Sequence, residues 1–176
     1  YFRSIPDRLS KIDSSQPTNG HVQEEATFVA GGTDIYVQQG EKLPNRAIAS
    51  LQGNSDMRDI RREQDRLIIG ALTTFEEFAQ HPDIRSFMPD IEAYMFVNAS
   101  WQIRNRATIG GNIVNASPIG DVTALLLVLE SELALNEHGT ARQVPMKDFF
   151  LGYKELDLAP GGILERIVVP VPDSSF

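Results

Sequence analysis

Short apolar runs, separated by glycine-rich and charged segments, divide this chain of 176 residues into candidate strands and short helices. Segments of five or six mostly apolar residues predict buried strands. Alternating apolar positions near the end of the chain predict one further strand. The strands predicted in this way cover residues 26–30, 46–51, 66–71 and 163–171, with a glycine-turn hairpin that joins residues 132–136 to 142–145.

Helix signals fall between these strands. Thr74, followed three residues later by Glu77, is a capping-box pattern, which predicts a helix that ends near Gln80, before Pro82. Further helices are predicted over residues 89–100, 122–129 and 146–153, the second of them with Asp121 as its N-cap, and residues 108–121 are predicted as a glycine-rich loop. Hairpins and isolated helices in this order predict an α+β fold and not a repeating βαβ sheet.

Composition narrows the possible functions. The formal charge of -8 disfavours a nucleic-acid partner, because phosphate binding needs a basic surface. The longest uninterrupted apolar run, residues 124–129, is far shorter than the ~20 residues of a membrane span. Because the chain has no cysteine, it supplies no disulfide, thiolate nucleophile or iron–sulfur ligand. We expect a cytoplasmic protein and find no residue that we would name as a metal ligand or as a catalytic acid or base.

Two glycine pairs are the segments best suited to chemistry. Gly31-Gly32 is followed by Thr33 and Asp34, and Gly110-Gly111 lies between hydroxyl and amide side chains. Consecutive glycines let backbone N–H groups approach an anion, so two such loops suit the pyrophosphate of a dinucleotide. The alternative is that each pair only forms a tight turn. Neither pair has the spacing of a Rossmann or P-loop motif.

Arg104 and Arg106 precede the second glycine pair. Their charges could supply the positive field that a diphosphate needs in an acidic protein. The interpretation that we favour is simpler, namely that both are solvated loop charges.

Four segments, in order, carry a family resemblance. Residues 28–35 (FVAGGTDI) resemble the AGGTDL segment of the FAD-binding domain of molybdenum hydroxylases, and residues 102–113 (QIRNRATIGGNI) resemble that domain's QIRNxATIGGN signature. Residues 115–121 (NASPIGD) and 148–153 (DFFLGY) resemble its NASPxxD and DFFxGY blocks. The family includes the flavin subunits of xanthine dehydrogenase, carbon monoxide dehydrogenase and related aldehyde-oxidising enzymes.

The resemblance implies an α+β fold of the vanillyl-alcohol oxidase / p-cresol methylhydroxylase type with two subdomains. On this basis we expect a linker and short helix over residues 1–25 and an FAD-binding domain over residues 26–172, with subdomains at about 26–55 and 56–172. Family members continue into a C-terminal cap domain, which is absent from this sequence. We therefore expect the chain to be a piece of a longer polypeptide and to be inactive alone.

The resemblance also implies which residues hold FAD. The first glycine turn would wrap the pyrophosphate and the ribityl chain, the second would complete the cradle, and two polar residues would reach sugar hydroxyls. The implied residues are Val29, Ala30, Gly31, Gly32, Thr33 and Asp34, then Thr108, Gly110, Gly111 and Asn112, then Asn115 and Asp121, and Leu164 as an apolar contact to a flavin or adenine ring. Leu164 could equally be plain strand core.

The implied function is the FAD-binding module of a xanthine-dehydrogenase-like enzyme. Electrons would leave a molybdopterin cofactor on a partner subunit, pass through [2Fe–2S] clusters of an iron–sulfur domain and reach FAD, with NAD as the acceptor. The alternatives are a flavin subunit of a carbon monoxide or aldehyde dehydrogenase, and a flavin-less scaffold that bridges subunits. Two intact glycine loops argue against the scaffold.

Overall fold

The computed structural model describes residues 26–171, so the predicted linker and short helix over residues 1–25 lie outside the described residues. The strands are β1 Thr27–Val29, β2 Ile48–Ser50, β3 Ile60–Glu63, β4 Arg66–Gly70, β5 Glu132–Glu137, β6 Thr140–Pro145, β7 Phe150–Gly152, β8 Glu155–Leu156 and β9 Ile163–Pro170. The helices are α1 Ile35–Gln39, α2 Phe75–Gln80, α3 Pro82–Phe87, α4 Ile91–Phe96, α5 Trp101–Arg104, α6 Ile109–Asn115, α7 Asp121–Val128 and α8 Met146–Phe149, with 3₁₀ turns at Leu43–Asn45 and Ser55–Met57.

A five-stranded antiparallel sheet in the order β3-β4-β9-β5-β6 forms the centre of the structure. This mixture of helices with an antiparallel sheet confirms the α+β prediction. The register between β5 and β9 shifts at Ala134/Leu135, so that Leu164 pairs with Leu135 while Arg166 pairs with Ala134. Strict alternation back from the buried Ile167 would place Glu165 on the core side and Leu164 on the opposite side. The bulge reverses this order, so Leu164 faces the core.

The first two strands form a separate sheet. β1 and β2 are parallel, with Thr27 opposite Ile48 and Val29 opposite Ser50. Both strands are shorter than the predicted runs, and β1 leads directly into the first glycine turn and α1. A third small sheet, β7-β8, follows α8.

One apolar cluster joins the inner face of the large sheet to the helices. Phe78 of α2, Leu126 of α7 and Phe149 of α8 are fully buried in it, as are Ile109 and Ile113 of α6. These helices therefore pack on one face of the sheet, and α6 contacts the central strand β9 directly.

The predicted loop over residues 108–121 and the predicted cap of the following helix are wrong. The predicted loop 108–121 contains α6, because Thr108 caps it and the apolar residues Ile109 and Ile113 recur one turn apart on its buried side. The predicted capping role of Asp121 is also wrong, since Gly120 occupies the N-cap of α7, without a side-chain cap, and Asp121 is the first helical residue.

The predicted helix over residues 89–100 is divided. α4 ends at Phe96, and α5 begins only at Trp101. Ala99 lies between them with a φ of 65°, a left-handed conformation that a continuous helix does not contain. The capping box of α2, by contrast, is confirmed. The Thr74 hydroxyl accepts from Glu77 N (3.2 Å), and the Glu77 carboxylate accepts from Thr74 N (2.9 Å).

Arg58 completes this cap, since its guanidinium lies 2.6 Å from the Glu77 carboxylate. Partial burial alone would raise the pKa of Glu77, but hydrogen bonds from Arg58 and Thr74 lower that pKa below its ordinary value. The carboxylate therefore stays charged at neutral pH and holds the start of α2 against the strand region that carries Arg58.

We expect Thr74→Ala to lower the free energy of unfolding by about 1–2 kcal/mol, because it removes the side-chain acceptor of the capping box. Chemical denaturation of the two proteins measures the difference. Thr74→Ser keeps the hydroxyl and is the matched control. Equal stability of the alanine variant and the unsubstituted protein would show that this cap contributes nothing.

Candidate functional site

A cleft of about 490 Å³ opens between the first glycine turn, the start of α6 and the beginning of β9. Its volume lies in the range of small-molecule and cofactor sites. The predicted site residues that line it are Val29, Ala30, Gly31, Gly32, Thr33, Asp34, Thr108, Gly110, Gly111, Asn112, Asn115 and Leu164. Asp121 is not among the lining residues, since it begins α7 at the surface, where its carbonyl accepts a hydrogen bond from the Tyr94 hydroxyl (3.0 Å).

The first glycine turn offers unpaired backbone donors. Among residues 26–171, the N–H groups from Ala30 to Ile35 have no hydrogen-bond acceptor, and pairing resumes where Tyr36 N donates to Gly32 O (3.1 Å). Gly32 has a φ of 80°, which favours glycine and turns the chain from β1 into α1. A run of unpaired N–H groups beside a cleft is an anion-binding arrangement.

The second glycine pair differs, because its backbone donors are already used. Ile109 N donates to Thr73 O (2.9 Å) and Gly110 N donates to Ala71 O (2.8 Å). Gly111 N donates to the Thr108 hydroxyl (3.1 Å), which caps α6. This segment therefore offers a ligand its side chains and its shape, and not a row of N–H groups.

Asn112 is the clearest such side chain. Its Oδ1 accepts from the Thr123 hydroxyl (2.9 Å), which fixes the amide orientation. Its Nδ2 has no acceptor within residues 26–171 and is left as a donor beside the cleft.

Two of the glycines are needed for close packing. A Cβ on Gly31 would overlap the carbonyl oxygen of Arg106 and lie 3.3 Å from Ala107 Cα. A Cβ on Gly110 would lie 2.8 Å from the carbonyl oxygen of Ala71. At Gly111 the nearest obstacle is the Thr108 hydroxyl, at 2.7 Å. Gly31 and Gly110 thus bring the cleft walls together, whereas a Cβ on Gly111 would displace the hydroxyl that caps α6.

The two arginines before the second glycine pair are not both solvated charges. Arg104 is only 7% exposed, so the prediction for it is wrong. Its Nε donates to Glu76 (2.9 Å) and its Nη1 donates to the carbonyl of Ala99 (2.9 Å), which lines the cleft. Arg106 is exposed, and its Nη2 donates to the carbonyl of Gly31 (3.3 Å) behind the first glycine turn.

Sequence reasoning missed several lining residues. Gln38 follows Asp34 by one helical turn, so helical spacing from the glycine motif was a usable signal. Its Nε2 donates to Asn115 Oδ1 (3.3 Å), and its Oε1 accepts from Lys154 Nζ (3.3 Å), which links three segments at the edge of the cleft. Ala99 had no such signal, because it lies between two helices in a left-handed conformation, with a φ of 65°, that an alanine in the sequence does not indicate.

Comparison with known proteins gives one family model, which matches residues 12–172 and is described as the FAD binding domain in molybdopterin dehydrogenase. The nicotinate dehydrogenase FAD-subunit of Eubacterium barkeri is 30% identical over 84% of this chain and 51% of its own length. The putative xanthine dehydrogenase FAD-binding subunit of Escherichia coli is 31% identical over 83% of this chain and 51% of its own length.

Among solved structures, carbon monoxide dehydrogenase from Hydrogenophaga pseudoflava superposes with a TM-score of 0.78 at 28% identity, covering 85% of this chain and 52% of that one. The chain therefore spans about half the length of the curated relatives it matches. Within residues 26–171, no helix is long and apolar enough to cross a membrane.

We expect Gly31→Ala to lower the free energy of unfolding by about 1–3 kcal/mol or more, because the methyl group meets rigid backbone at Arg106. Thermal or chemical denaturation measures the loss. The matched control is Gly152→Ala, where φ likewise lies outside the left-handed region but the added Cβ meets only the flexible side chain of Glu155, at 3.1 Å. If Gly31→Ala and Gly152→Ala lose the same stability, the close approach of the Gly31 backbone to Arg106 has no special cost.

Proposed function

Because the chain belongs to the family of FAD-binding domains of molybdopterin dehydrogenases, we propose that its cleft holds FAD with the pyrophosphate at the first glycine turn. The observation that carries this proposal is the run of unpaired N–H groups from Ala30 to Ile35 beside the cleft. Such a run stabilises negative charge without a lysine or arginine in the site.

The charges around the cleft support this assignment of the pyrophosphate. Among the lining residues within 26–171, Asp34 alone carries a formal charge, and that charge is negative. A diphosphate in the cleft therefore depends on backbone dipoles, with Arg106, which contacts the Gly31 carbonyl, and Lys154, which contacts Gln38, as cations next to lining residues. Asp34 suits a sugar or ribityl hydroxyl, because a carboxylate accepts hydrogen bonds and repels phosphate.

The remaining walls suit an aromatic ring system. Leu72, Phe75, Ile103 and Leu164 line the cleft with apolar surface, and Leu164 is 4% exposed in the central strand. Core packing and a ring contact are therefore compatible for Leu164. Asn112 and Asn115 would supply amide groups along the cofactor, whereas Asp121 is left out of the proposed site.

The chemistry follows from the cofactor, since FAD supplies one- and two-electron transfer when it is bound. The chain's own residues bind and orient it, and the apolar walls exclude water. We propose the vanillyl-alcohol oxidase type of fold and the subdomain boundaries at about 26–55 and 56–172. The separation of the β1-β2 sheet from the five-stranded sheet β3-β4-β9-β5-β6 supports that division.

The partners are also part of the proposal. We propose iron–sulfur and molybdopterin-binding partner subunits as electron donors, with NAD as acceptor in an enzyme of the xanthine dehydrogenase type. The names of two relatives support the existence of partner subunits, since one is a putative xanthine dehydrogenase FAD-binding subunit and the other a carbon monoxide dehydrogenase medium chain.

Titration of the ¹⁵N-labelled protein with FAD should shift the amide resonances of residues 30–35 more than those of residues 109–112. The first set of N–H groups has no acceptor among residues 26–171, whereas the second set already donates to Thr73, Ala71 and Thr108. Adenosine diphosphate is the matched probe for the pyrophosphate alone. The reverse order of shifts would place the phosphates at the second glycine pair and contradict the assignment.

The protein, purified from its source with whatever subunits accompany it, should carry FAD that dithionite bleaches. Gly111→Val should prevent uptake, because Gly111 lines the cleft and the added side chain would displace the Thr108 hydroxyl that caps α6 beside it. Gly152→Val is the control, since its side chain would meet only Glu155, away from the cleft. Protein that is colourless and takes up no added FAD would overturn the proposed function.

A further inference from the structure

One wall of the cleft is an irregular loop without a helix or strand of its own. The 157–162 loop connects β8 to β9, and its residues Leu158 and Gly162 line the cleft. Its internal backbone hydrogen bond is Gly162 N to Ala159 O (2.8 Å), and Asp157 N donates to Phe149 O (2.8 Å). An irregular loop of this kind is ordered only as far as other groups hold it.

Arg142 of β6 holds the start of this loop. Its Nη1 donates to Asp157 Oδ2 (2.8 Å) and its Nη2 donates to the carbonyl of Asp157 (2.7 Å). The same guanidinium forms a paired contact with Glu137 of β5, at 2.9 and 3.0 Å. Arg142 itself does not line the cleft.

The neighbouring residues of the hairpin hold the rest of the loop. Glu137 Oε1 accepts from Ala159 N (2.8 Å), and a ring nitrogen of His138 lies 2.9 Å from the carbonyl oxygen of Pro160. Hydrogen bonds from Arg142 and from the Ala159 N–H lower the pKa of Glu137 to about 2. The Glu137 carboxylate is therefore charged across the physiological pH range. Side chains of the β5-β6 hairpin thus contact the loop at three positions, Asp157, Ala159 and Pro160.

We propose that the cluster of Arg142, Glu137 and Asp157 presets the 157–162 loop in the shape that receives the cofactor, which makes Arg142 a positioning residue for FAD that never touches it. The inference rests on the proposed function. Without Arg142 the loop samples other conformations, and binding must select the competent one, so the apparent dissociation constant rises as the competent fraction falls. A bidentate guanidinium fork is needed because it ties two carboxylates and one carbonyl at once.

The test uses Arg142→Met and Arg142→Lys in the complete chain. We expect Arg142→Met to weaken FAD binding by about tenfold, through the smaller competent fraction of the loop, as measured by calorimetry or flavin fluorescence. In the FAD-free protein, hydrogen exchange should accelerate at residues 157–162, and saturating FAD should restore protection there. Arg142→Lys keeps the charge but not the fork, so its FAD affinity and its loop exchange rate should lie between those of the unsubstituted protein and Arg142→Met.

Arg61→Met is the matched control. Arg61 also pairs with two carboxylates, Glu63 and Asp59, but it lies on β3 at the far edge of the same sheet and does not line the cleft. It should leave FAD affinity unchanged. If Arg142→Met fails to fold, Asp157→Asn removes one of the two partners with little change of shape and should show the same loop exchange to a smaller degree.

Two results would overturn the inference. One is unchanged FAD affinity in Arg142→Met despite faster exchange in the loop. The other is faster exchange across the whole sheet in step with weaker binding, which would make Arg142 an element of general stability. If the unsubstituted protein binds no FAD, the proposed function falls and this inference with it, even where the loop exchange changes as expected.

Discussion

The close approach of the Gly31 backbone to the carbonyl of Arg106 is the contact on which the cleft depends. It brings the small β1-β2 sheet, with its glycine turn, against the segment that leads into α6. A side chain at position 31 would force the two segments apart, since both are backbone and neither can rotate away. The Arg106 guanidinium strengthens the junction by donating to Gly31 O, and Gln52 Nε2 adds a bond to the neighbouring carbonyl of Ala30 (3.1 Å).

The two glycine pairs look alike in sequence but differ in function, and the helices that follow them explain why. α6 buries Ile109 and Ile113 in the main core, so its first turn is drawn onto the end of β4, where the carbonyls of Thr73 and Ala71 take its N–H groups. No residue of α1 is buried. The first glycine turn is therefore not pulled into the core, and its N–H groups have no acceptor within residues 26–171. The apolar content of the following helix decides whether a glycine turn presents backbone donors or consumes them.

Local patterns predicted those parts of the fold that depend on neighbours in sequence. The strand before the first glycine turn, the β5-β6 hairpin and the capping box at Thr74 all follow from spacing within a few residues. The lining residues came from the family motifs, which place both glycine pairs at one ligand. What sequence reasoning missed depends on distant partners. Arg104 is buried because Glu76, 28 positions earlier, neutralises it, and Leu164 faces the core because of a bulge opposite Ala134, which alternation alone cannot reveal.

The distribution of charge explains how an acidic chain can hold an acidic cofactor. Two of the arginines that support the site are neutralised by carboxylates, Arg104 by Glu76 and Arg142 by Glu137 and Asp157. These pairs act on shape, since each ties down a backbone segment that lines the cleft, and their fields largely cancel beyond a few ångströms. The attraction for a diphosphate is then left to the dipoles of unpaired N–H groups, which act only at contact distance. Such a site selects its ligand by fit to a fixed backbone, so any loss of rigidity in the cleft walls also weakens recognition of the cofactor.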